Sequence, residues 1–268
     1  MKNMMLNFLK GVAIGAGAIA PGVSGGAIAV ILGIYEKITY AIGNIFRDFR
    51  KSLTYLMPYG SGAITGVLVF SNIFKYLFIY YNVEIRYLFV GLMAGTFPSL
   101  FKKANKNGFR KEYIILLIVA FLITSLLSVM ENSVNSSISD KDFSVFQLIL
   151  YGVIIGVGTI IPGVSSSVIL IYLGSYEVLL DALASLKIFM LIPVGIGFVI
   201  CFLLLSKAIS MLFDRVYGYT YYAILGFVVG SIIPIFPGFN LDIRHIISLA
   251  IMLIGLWASY YLSRFEKE

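Results

Sequence analysis

Two short motifs carry the residues best suited to binding. Proline and glycine interrupt a helix, serine is a favoured first residue of a new one, and the free N–H groups of a helix start attract anions. We therefore predict new helices near Ser24 and Ser165, and a phosphate site at both motifs. Serine also caps helices where no ligand binds, and that alternative stays open. The motifs are PGVSGG (Pro21, Gly22, Val23, Ser24, Gly25, Gly26) and PGVSSS (Pro162, Gly163, Val164, Ser165, Ser166, Ser167).

A serine nucleophile is the second chemistry that the first motif suggests. Gly22–Gly26 fits G-x-S-x-G, the nucleophile elbow of hydrolases, and the GxSG of intramembrane proteases. Such a serine needs a nearby base. The only histidine, His245, is predicted at the outer end of a membrane span, far from Ser24. Hydrolase chemistry is therefore disfavoured.

Three charged residues in or beside apolar segments are further candidates. Glu36 and Glu177 each follow a tyrosine, and each comes 12 residues after the first serine of its motif. They are either carboxylates that couple transport to an ion gradient or solvated residues at helix ends. Lys75 lies late in the apolar segment 52–80, where it either snorkels outward or attracts an anionic headgroup.

The composition places these residues in a membrane. Of 268 residues 60% are hydrophobic and 12% are charged, whereas soluble domains are about 25% charged. Long charge-free stretches without strand alternation predict an all-α integral membrane protein and exclude a soluble enzyme. The net charge of +7 comes from short loops between apolar runs, so nucleic acid is rejected as a partner. The one cysteine, Cys201, excludes an intrachain disulfide and a cysteine-based metal site.

The chain is an internal repeat. Gly11–Glu36 aligns with Gly152–Glu177 at an offset of 141 with 15 of 26 positions identical, and the likeness continues at an offset of 135. We assign residues 1–130 to repeat 1, 131–142 to an outer linker and 143–268 to repeat 2. A cleaved leader at the N-terminus is disfavoured because the same segment recurs inside the chain. Three GxxxG pairs predict close helix packing, namely Gly62/Gly66, Gly91/Gly95 and Gly226/Gly230.

The orientation of the repeats depends on the motif-bearing segments. If they are re-entrant hairpins (6–36 and 147–177), each half has three transmembrane helices and the halves are inverted; if each is one kinked helix, the halves are parallel. With the N-terminus inside, the re-entrant arrangement has 15 Lys and Arg in inner loops, including 207–215, and 4 in outer loops, against 11 and 8 for single crossings. Positive residues favour the cytoplasmic side, so we predict inverted repeats with both termini cytoplasmic.

The paired motifs, GxGAIAPGVSGG and GxGTIIPGVSSS, resemble those of the bacterial polyprenyl-phosphate translocases, formerly a domain of unknown function. The resemblance covers nearly the whole chain and is most specific at Ala20–Gly26 and Ile161–Ser167. It implies a multi-pass flippase of the cytoplasmic membrane that returns undecaprenyl phosphate, the lipid carrier of cell-wall synthesis, from the outer to the inner leaflet. It also implies the motif residues as the binding residues. Such a flippase changes no covalent bond and has no cofactor; a proton or sodium gradient is the expected driving force.

Several alternatives remain open at this point. The same helix starts suit a secondary carrier of a small inorganic anion, and an intramembrane lipid phosphatase or protease is the alternative from another class. The expected partners are the polyprenyl phosphate and the membrane lipids. The driving ion, the oligomeric state, the polyprenyl length and the direction of net flux are left open by the residues alone.

Overall fold

The computed structural model describes residues 2–19, 24–131, 143–164, 166, 169–170, 173–184, 187–240 and 242–265. All regular secondary structure in these residues is α-helical, as the composition predicts. In chain order the described helices are α1 (Lys2–Ile19), α2 (Gly25–Ile31), α3 (Tyr35–Gly43), α4 (Phe49–Tyr80), α5 (Asn82–Ala104), α6 (Tyr113–Glu131), α7 (Val145–Ile160), α8 (Tyr176–Ala184), α9 (Ile188–Ile235) and α10 (Ile243–Phe265).

Three of the described helices are long and apolar enough to cross a membrane. They are α9 and the stretches Phe49–Phe70 of α4 and Ile243–Tyr261 of α10, while Tyr113–Leu127 of α6 is a shorter apolar helix. Large apolar side chains also cover the outside of the fold, including Leu68 (71% exposed) and Trp257 (65% exposed). An apolar outer surface of this kind suits contact with lipid rather than with water. The chain is a membrane protein; the six crossings remain a prediction.

Helix α9 consists of two helices joined without a loop. Val216 has non-helical angles (φ −136°, ψ 51°) and divides it into α9a (188–215) and α9b (217–235). Tyr81, between α4 and α5, has nearly the same angles (φ −128°, ψ 38°) and is aligned with Val216 at the repeat offset of 135. The prediction that residues 207–215 form a loop is therefore wrong. One non-helical residue ends the first helix and starts the second, so those residues stay helical.

Equivalent glycines join the first helix of each half to its first long helix. A Cβ on Gly11, Gly15 or Gly152 would collide with the partner backbone, and a Cβ on Gly156 would collide with the Cys201 side chain and lie 3.3 Å from the Phe198 carbonyl oxygen. In each pair the residue numbers of the contacts increase in the same direction along both helices, so α1 runs parallel to α4 and α7 runs parallel to α9a. The contacts are Gly11 with Tyr59, Gly15 with Ala63, Gly152 with Val194 and Gly156 with Phe198.

The remaining long helices pack crosswise between the halves. Helix α5 of the first half contacts α10 of the second, and α9b of the second half contacts α6 of the first. Both interfaces use the predicted GxxxG glycines and both pairs run parallel. The contacts are Gly91 with Met252, Gly95 with Leu256, Gly226 with Leu117 and Gly230 with Thr124.

The two halves meet where α5 contacts α9b, which are counterparts in the repeat. The Phe101 and Tyr222 rings lie 6.0 Å apart at one end, and the Tyr87 hydroxyl donates to the Gly238 carbonyl (2.8 Å) just past α9b at the other. Residues with higher numbers in α5 contact residues with lower numbers in α9b, so these two counterparts run antiparallel. Leu225 and Val228 of α9b are completely buried in the largest core cluster.

Candidate functional site

The first motif ends in a capped helix start. Ser24 is the N-cap of α2, with extended backbone angles, and its Oγ accepts the N–H of Ala27 at 3.1 Å. This is the geometry in which serine satisfies one of the free N–H groups at a helix start. The helix start that the sequence predicts at Ser24 is confirmed.

The second motif turns sharply at Gly163. Helix α7 ends at Ile160, and Gly163 has φ +80°, a conformation that L side chains rarely adopt. A Cβ on Gly163 would also collide with the Phe227 carbonyl and lie 2.8 Å from the Ser231 Cβ, both on α9b. Only glycine fits this turn, for its backbone angles and for the space beside it.

One oxygen atom joins the two motifs. The backbone N–H of Gly163 donates to Ser24 Oγ at 3.1 Å, so this oxygen accepts one N–H from each half of the chain. Close packing continues beside it, since a Cβ on Gly26 would lie 3.2 Å from the Thr159 carbonyl oxygen. Two backbone donors from separate halves converge on the oxygen of the partly buried Ser24, and the same arrangement of donors suits an oxygen atom of an anion.

Helix α3 ties the first half to the second motif and to α9a. The buried Tyr35 hydroxyl donates to the Ile160 carbonyl (2.9 Å), one of the free carbonyls at the end of α7. At the end of α3, Asn44 Oδ1 accepts from Lys207 Nζ at 2.7 Å. Both ends of the α3 segment are therefore fixed to elements of the other half.

This anchoring places Glu36 of α3 against α9b. Its carboxylate accepts hydrogen bonds from the hydroxyls of Tyr221 (2.7 Å) and Tyr217 (3.4 Å). Glu36 is thus held by the protein at an interface between the halves. A neutral hydroxyl pair stabilises a carboxylate without neutralising its charge.

Helix α9b runs past the whole site and orders its parts. Tyr217 and Tyr221 contact Glu36, Phe227 and Ser231 contact Gly163, and the Pro234 carbonyl accepts from Arg86 at 3.4 Å. From one end of α9b to the other, the site therefore presents a carboxylate, the joined motifs and a guanidinium. The order of these contacts along the α9b sequence is also their order in space.

Apart from Glu36, the predicted site residues divide into three groups. Ser24, Gly25, Gly26, Pro162, Gly163 and Val164 are brought together at or beside the joined motifs. Ser166, near the end of the second motif, packs back on α7: a Cβ on Gly158 would lie 2.7 Å from the Ser166 nitrogen. Pro21, Gly22, Val23, Ser165 and Ser167 lie outside the described residues, and so do the side chains of Lys75 in α4 and Glu177 in α8.

Sequence reasoning missed Tyr217, Tyr221 and Arg86 as parts of the site. Two signals were available: the tyrosine-rich run at 217–222, and Arg86 as the only cation between residues 76 and 101. Neither signal indicates which residues these side chains contact. Their positions follow from the antiparallel contact of α5 and α9b, which brings distant segments together.

Comparison with known proteins identifies the family. A family profile described as undecaprenyl phosphate translocase-like matches residues 14–249. The chain belongs to the undecaprenyl phosphate translocase-like family. The resemblance in the paired motifs is thereby confirmed.

Relatives of this translocase-like chain include two proteins named polyprenyl-phosphate transporter. The one from Staphylococcus aureus (strain NCTC 8325 / PS 47) is 32% identical over 277 residues, covering 98% of this chain and 97% of the relative. The one from Vibrio cholerae serotype O1 (strain ATCC 39315 / El Tor Inaba N16961) is 24% identical over 249 residues, covering 88% and 78%. No solved structure matches the chain.

Proposed function

We propose that this protein is a flippase that moves a polyprenyl phosphate, undecaprenyl phosphate above all, between the leaflets of the cytoplasmic membrane. The observation that carries the proposal is the pair of N–H groups, from Ala27 and Gly163, that converge on Ser24 Oγ. In the loaded state a phosphate oxygen takes a place beside or instead of this hydroxyl. The polyprenyl tail stays in lipid against the apolar outer surface.

The proposed architecture is a pair of inverted repeats with re-entrant hairpins. The antiparallel contact of α5 with its counterpart α9b supports inversion. The parallel packing of α1 on α4 supports re-entry, because the chain returns to the starting side between Ile19 and Phe49. The joined motifs then lie near the midplane, with α1 and α3 entering from the cytoplasmic side.

Single-cysteine labelling tests this architecture. In a Cys201→Ser background, Asn107→Cys lies in the loop after α5 and Asn240→Cys in the loop after α9b, and both positions are exposed. We expect an impermeant maleimide to label Asn240→Cys from outside intact cells and Asn107→Cys only after permeabilisation. Labelling of both from the same side would contradict the inverted arrangement.

We propose that an ion gradient drives transport through Glu36, and through Glu177 at the equivalent position. The hydroxyls of Tyr217 and Tyr221 hold the Glu36 carboxylate at an interface between the halves. Protonation, or sodium binding, would weaken this contact and allow α3 to move against α9b. The net direction proposed is from the outer to the inner leaflet, which recycles the carrier for cell-wall synthesis.

A catalytic role for Ser24 has no support in the described contacts. His245 pairs with Asp242 (2.7 Å) at the start of α10, at the Arg86 end of the site. None of the described hydrogen bonds joins Ser24 to a carboxylate or an imidazole. The proposal is therefore transport without covalent change.

Thermal stabilisation of the purified protein in detergent tests the substrate. A ligand that binds the native state raises its melting temperature by mass action. We expect undecaprenyl phosphate to raise it, and undecaprenol and inorganic phosphate at matched concentrations to leave it unchanged. Equal stabilisation by inorganic phosphate would instead favour a small-anion carrier, and no response to the lipid phosphate would contradict the proposed substrate.

A further inference from the structure

Arg86 is a partly buried cation with almost no partner. Three buried side-chain atoms lack a hydrogen-bond partner in the described part of the chain, and Arg86 Nε is the one that belongs to a charged group. Within the described residues the Arg86 side chain makes one long hydrogen bond, from NH1 to the Pro234 carbonyl (3.4 Å). Native structures satisfy nearly all such groups, so an orphaned guanidinium nitrogen requires an explanation.

The nearby carboxylates are committed to other groups. Glu84, two residues before Arg86, forms a two-point bond with Arg244 (2.8 and 2.9 Å). Asp242 caps the start of α10 and pairs with His245. Among the described residues no carboxylate pairs with the Arg86 guanidinium, which can therefore bind an anion from outside the chain.

The position of Arg86 relates it directly to the joined motifs. Its carbonyl partner Pro234 is three residues from Ser231, which contacts Gly163, so the two contacts lie about 5 Å apart along α9b. Ile235 packs in the same buried cluster as Ala27, whose N–H points at Ser24. The Arg86 contact and the Gly163 contact are therefore about one helical turn apart on α9b.

The repeat makes the two ends of the site equivalent, yet α9b contacts a guanidinium at one end and a carboxylate at the other. Arg86 aligns with Tyr221 at the offset of 135, and Tyr221 binds the Glu36 carboxylate. A phosphate is therefore attracted by Arg86, whereas at the other end the Glu36 carboxylate lies beside Tyr217, with Lys106 Nζ 5.9 Å from that ring. This difference gives the site a polarity that the repeat alone would not have.

We propose that Arg86 is the first binding residue for the substrate's phosphate, which it holds at the outer mouth before the headgroup reaches the joined motifs. The proposal rests on the proposed function, because it assigns the capture step of the same transport. The ligand class is a phosphate monoester on a lipid tail. The planar fork of the guanidinium suits two oxygens of such a headgroup.

The test uses farnesyl phosphate as a short lipid phosphate and farnesol as its uncharged control, with affinity taken from ligand-dependent melting of the full-length protein in detergent. We expect Arg86→Gln to weaken farnesyl phosphate binding roughly 10- to 100-fold, as for loss of a charge-assisted hydrogen bond. Arg86→Lys keeps the charge without the planar guanidinium, and its affinity for farnesyl phosphate is expected to lie between those of the wild type and Arg86→Gln. Arg110→Gln removes an exposed arginine at the opposite end and is expected to bind like the wild type.

The melting temperature without ligand separates a binding role from a structural one. Removing a partly buried charge that pairs with no described carboxylate relieves a desolvation cost, so Arg86→Gln without ligand should melt at the wild-type temperature or higher. A clear drop would contradict the inference, as would unchanged farnesyl phosphate affinity in a wild type that binds it. No binding by the wild type would instead overturn the proposed function itself.

Discussion

Ser24 Oγ lies 3.1 Å from the backbone nitrogen of Gly163, 139 residues further along the chain. The same oxygen accepts the N–H of Ala27 at 3.1 Å. Donors from both halves are thus collected at one point, and movement of either half changes the distance between them. In the proposed transport cycle, this site binds the anion tightly in one arrangement of the halves and weakly in the other.

The first prediction compares two N-cap serines. Ser24→Ala and Ser144→Ala each remove a helix cap, and each should cost about 1 kcal/mol of stability. Only Ser24 also binds Gly163, so only Ser24→Ala should slow lipid-phosphate flipping, by about 10-fold or more. Flipping in reconstituted vesicles and melting in detergent measure the two effects. Equal flipping rates for Ser24→Ala and Ser144→Ala would contradict a role for Ser24 in binding the substrate.

The second prediction concerns the turn in the second motif. Gly163→Ala must adopt φ +80° and meets the Phe227 carbonyl, so it should lose about 1–2 kcal/mol of stability or more. Gly195→Ala is the matched control, because that helical position in α9a is open and alanine favours a helix by up to about 1 kcal/mol. Melting temperatures should therefore shift in opposite directions. A neutral Gly163→Ala would mean that the turn relaxes freely.

A third prediction tests the contact of Glu36 with α9b. Glu36→Gln keeps an acceptor for the Tyr221 hydroxyl but removes the titratable charge. We expect it to equilibrate the lipid between leaflets but to lose the response to an imposed proton or sodium gradient. Tyr221→Phe should weaken the same response, whereas Tyr222→Phe, which loses only a bond to Asn105, should not. A normal gradient response in Glu36→Gln would exclude Glu36 as the coupling residue.

The fourth prediction concerns pH and the start of α10. Hydrogen bonds from the backbone and the ring of His245 lower the pKa of Asp242 below its usual 3.8. A carboxyl group whose pKa is lower in the folded than in the unfolded protein stabilises the fold at any pH above the unfolded-state pKa. This stabilisation is lost as the pH falls through the folded-state pKa. The melting temperature of Asp242→Ala should thus be lower than that of the wild type at neutral pH, and the two should converge below 3.8. A difference that persists unchanged into strong acid would assign the stabilisation to something other than the ionised carboxylate.

The sequence predicts those features that depend on local chemistry or on the repeat. Proline, glycine and serine in PGVSGG predict the helix start at Ser24, and the GxxxG pairs predict close contacts such as Gly226 with Leu117. The partners of those glycines were not predictable, because a repeat specifies equivalent contacts without saying which half supplies the second helix. The crosswise packing of α5 on α10 and of α6 on α9b follows from tertiary structure alone.

The same limit explains the missed site residues. Glu36 and Tyr221 are 185 residues apart and Arg86 and Pro234 are 148 apart, so no local pattern relates them. The misassigned loop at 207–215 has a different cause. Charged residues there suggested an aqueous loop, whereas one non-helical residue, Val216, suffices to separate two helices.

The most direct test of the account is transport of undecaprenyl phosphate by the purified protein in sealed vesicles. A soluble phosphatase added outside hydrolyses the lipid in the outer leaflet, and it reaches the inner-leaflet lipid only if that lipid is flipped. We predict complete hydrolysis in vesicles that contain the wild type or Ser144→Ala. In empty vesicles, and over the same time with Ser24→Ala, hydrolysis should stop at the outer-leaflet share. Hydrolysis by the wild type that stops at the outer-leaflet share would contradict the account.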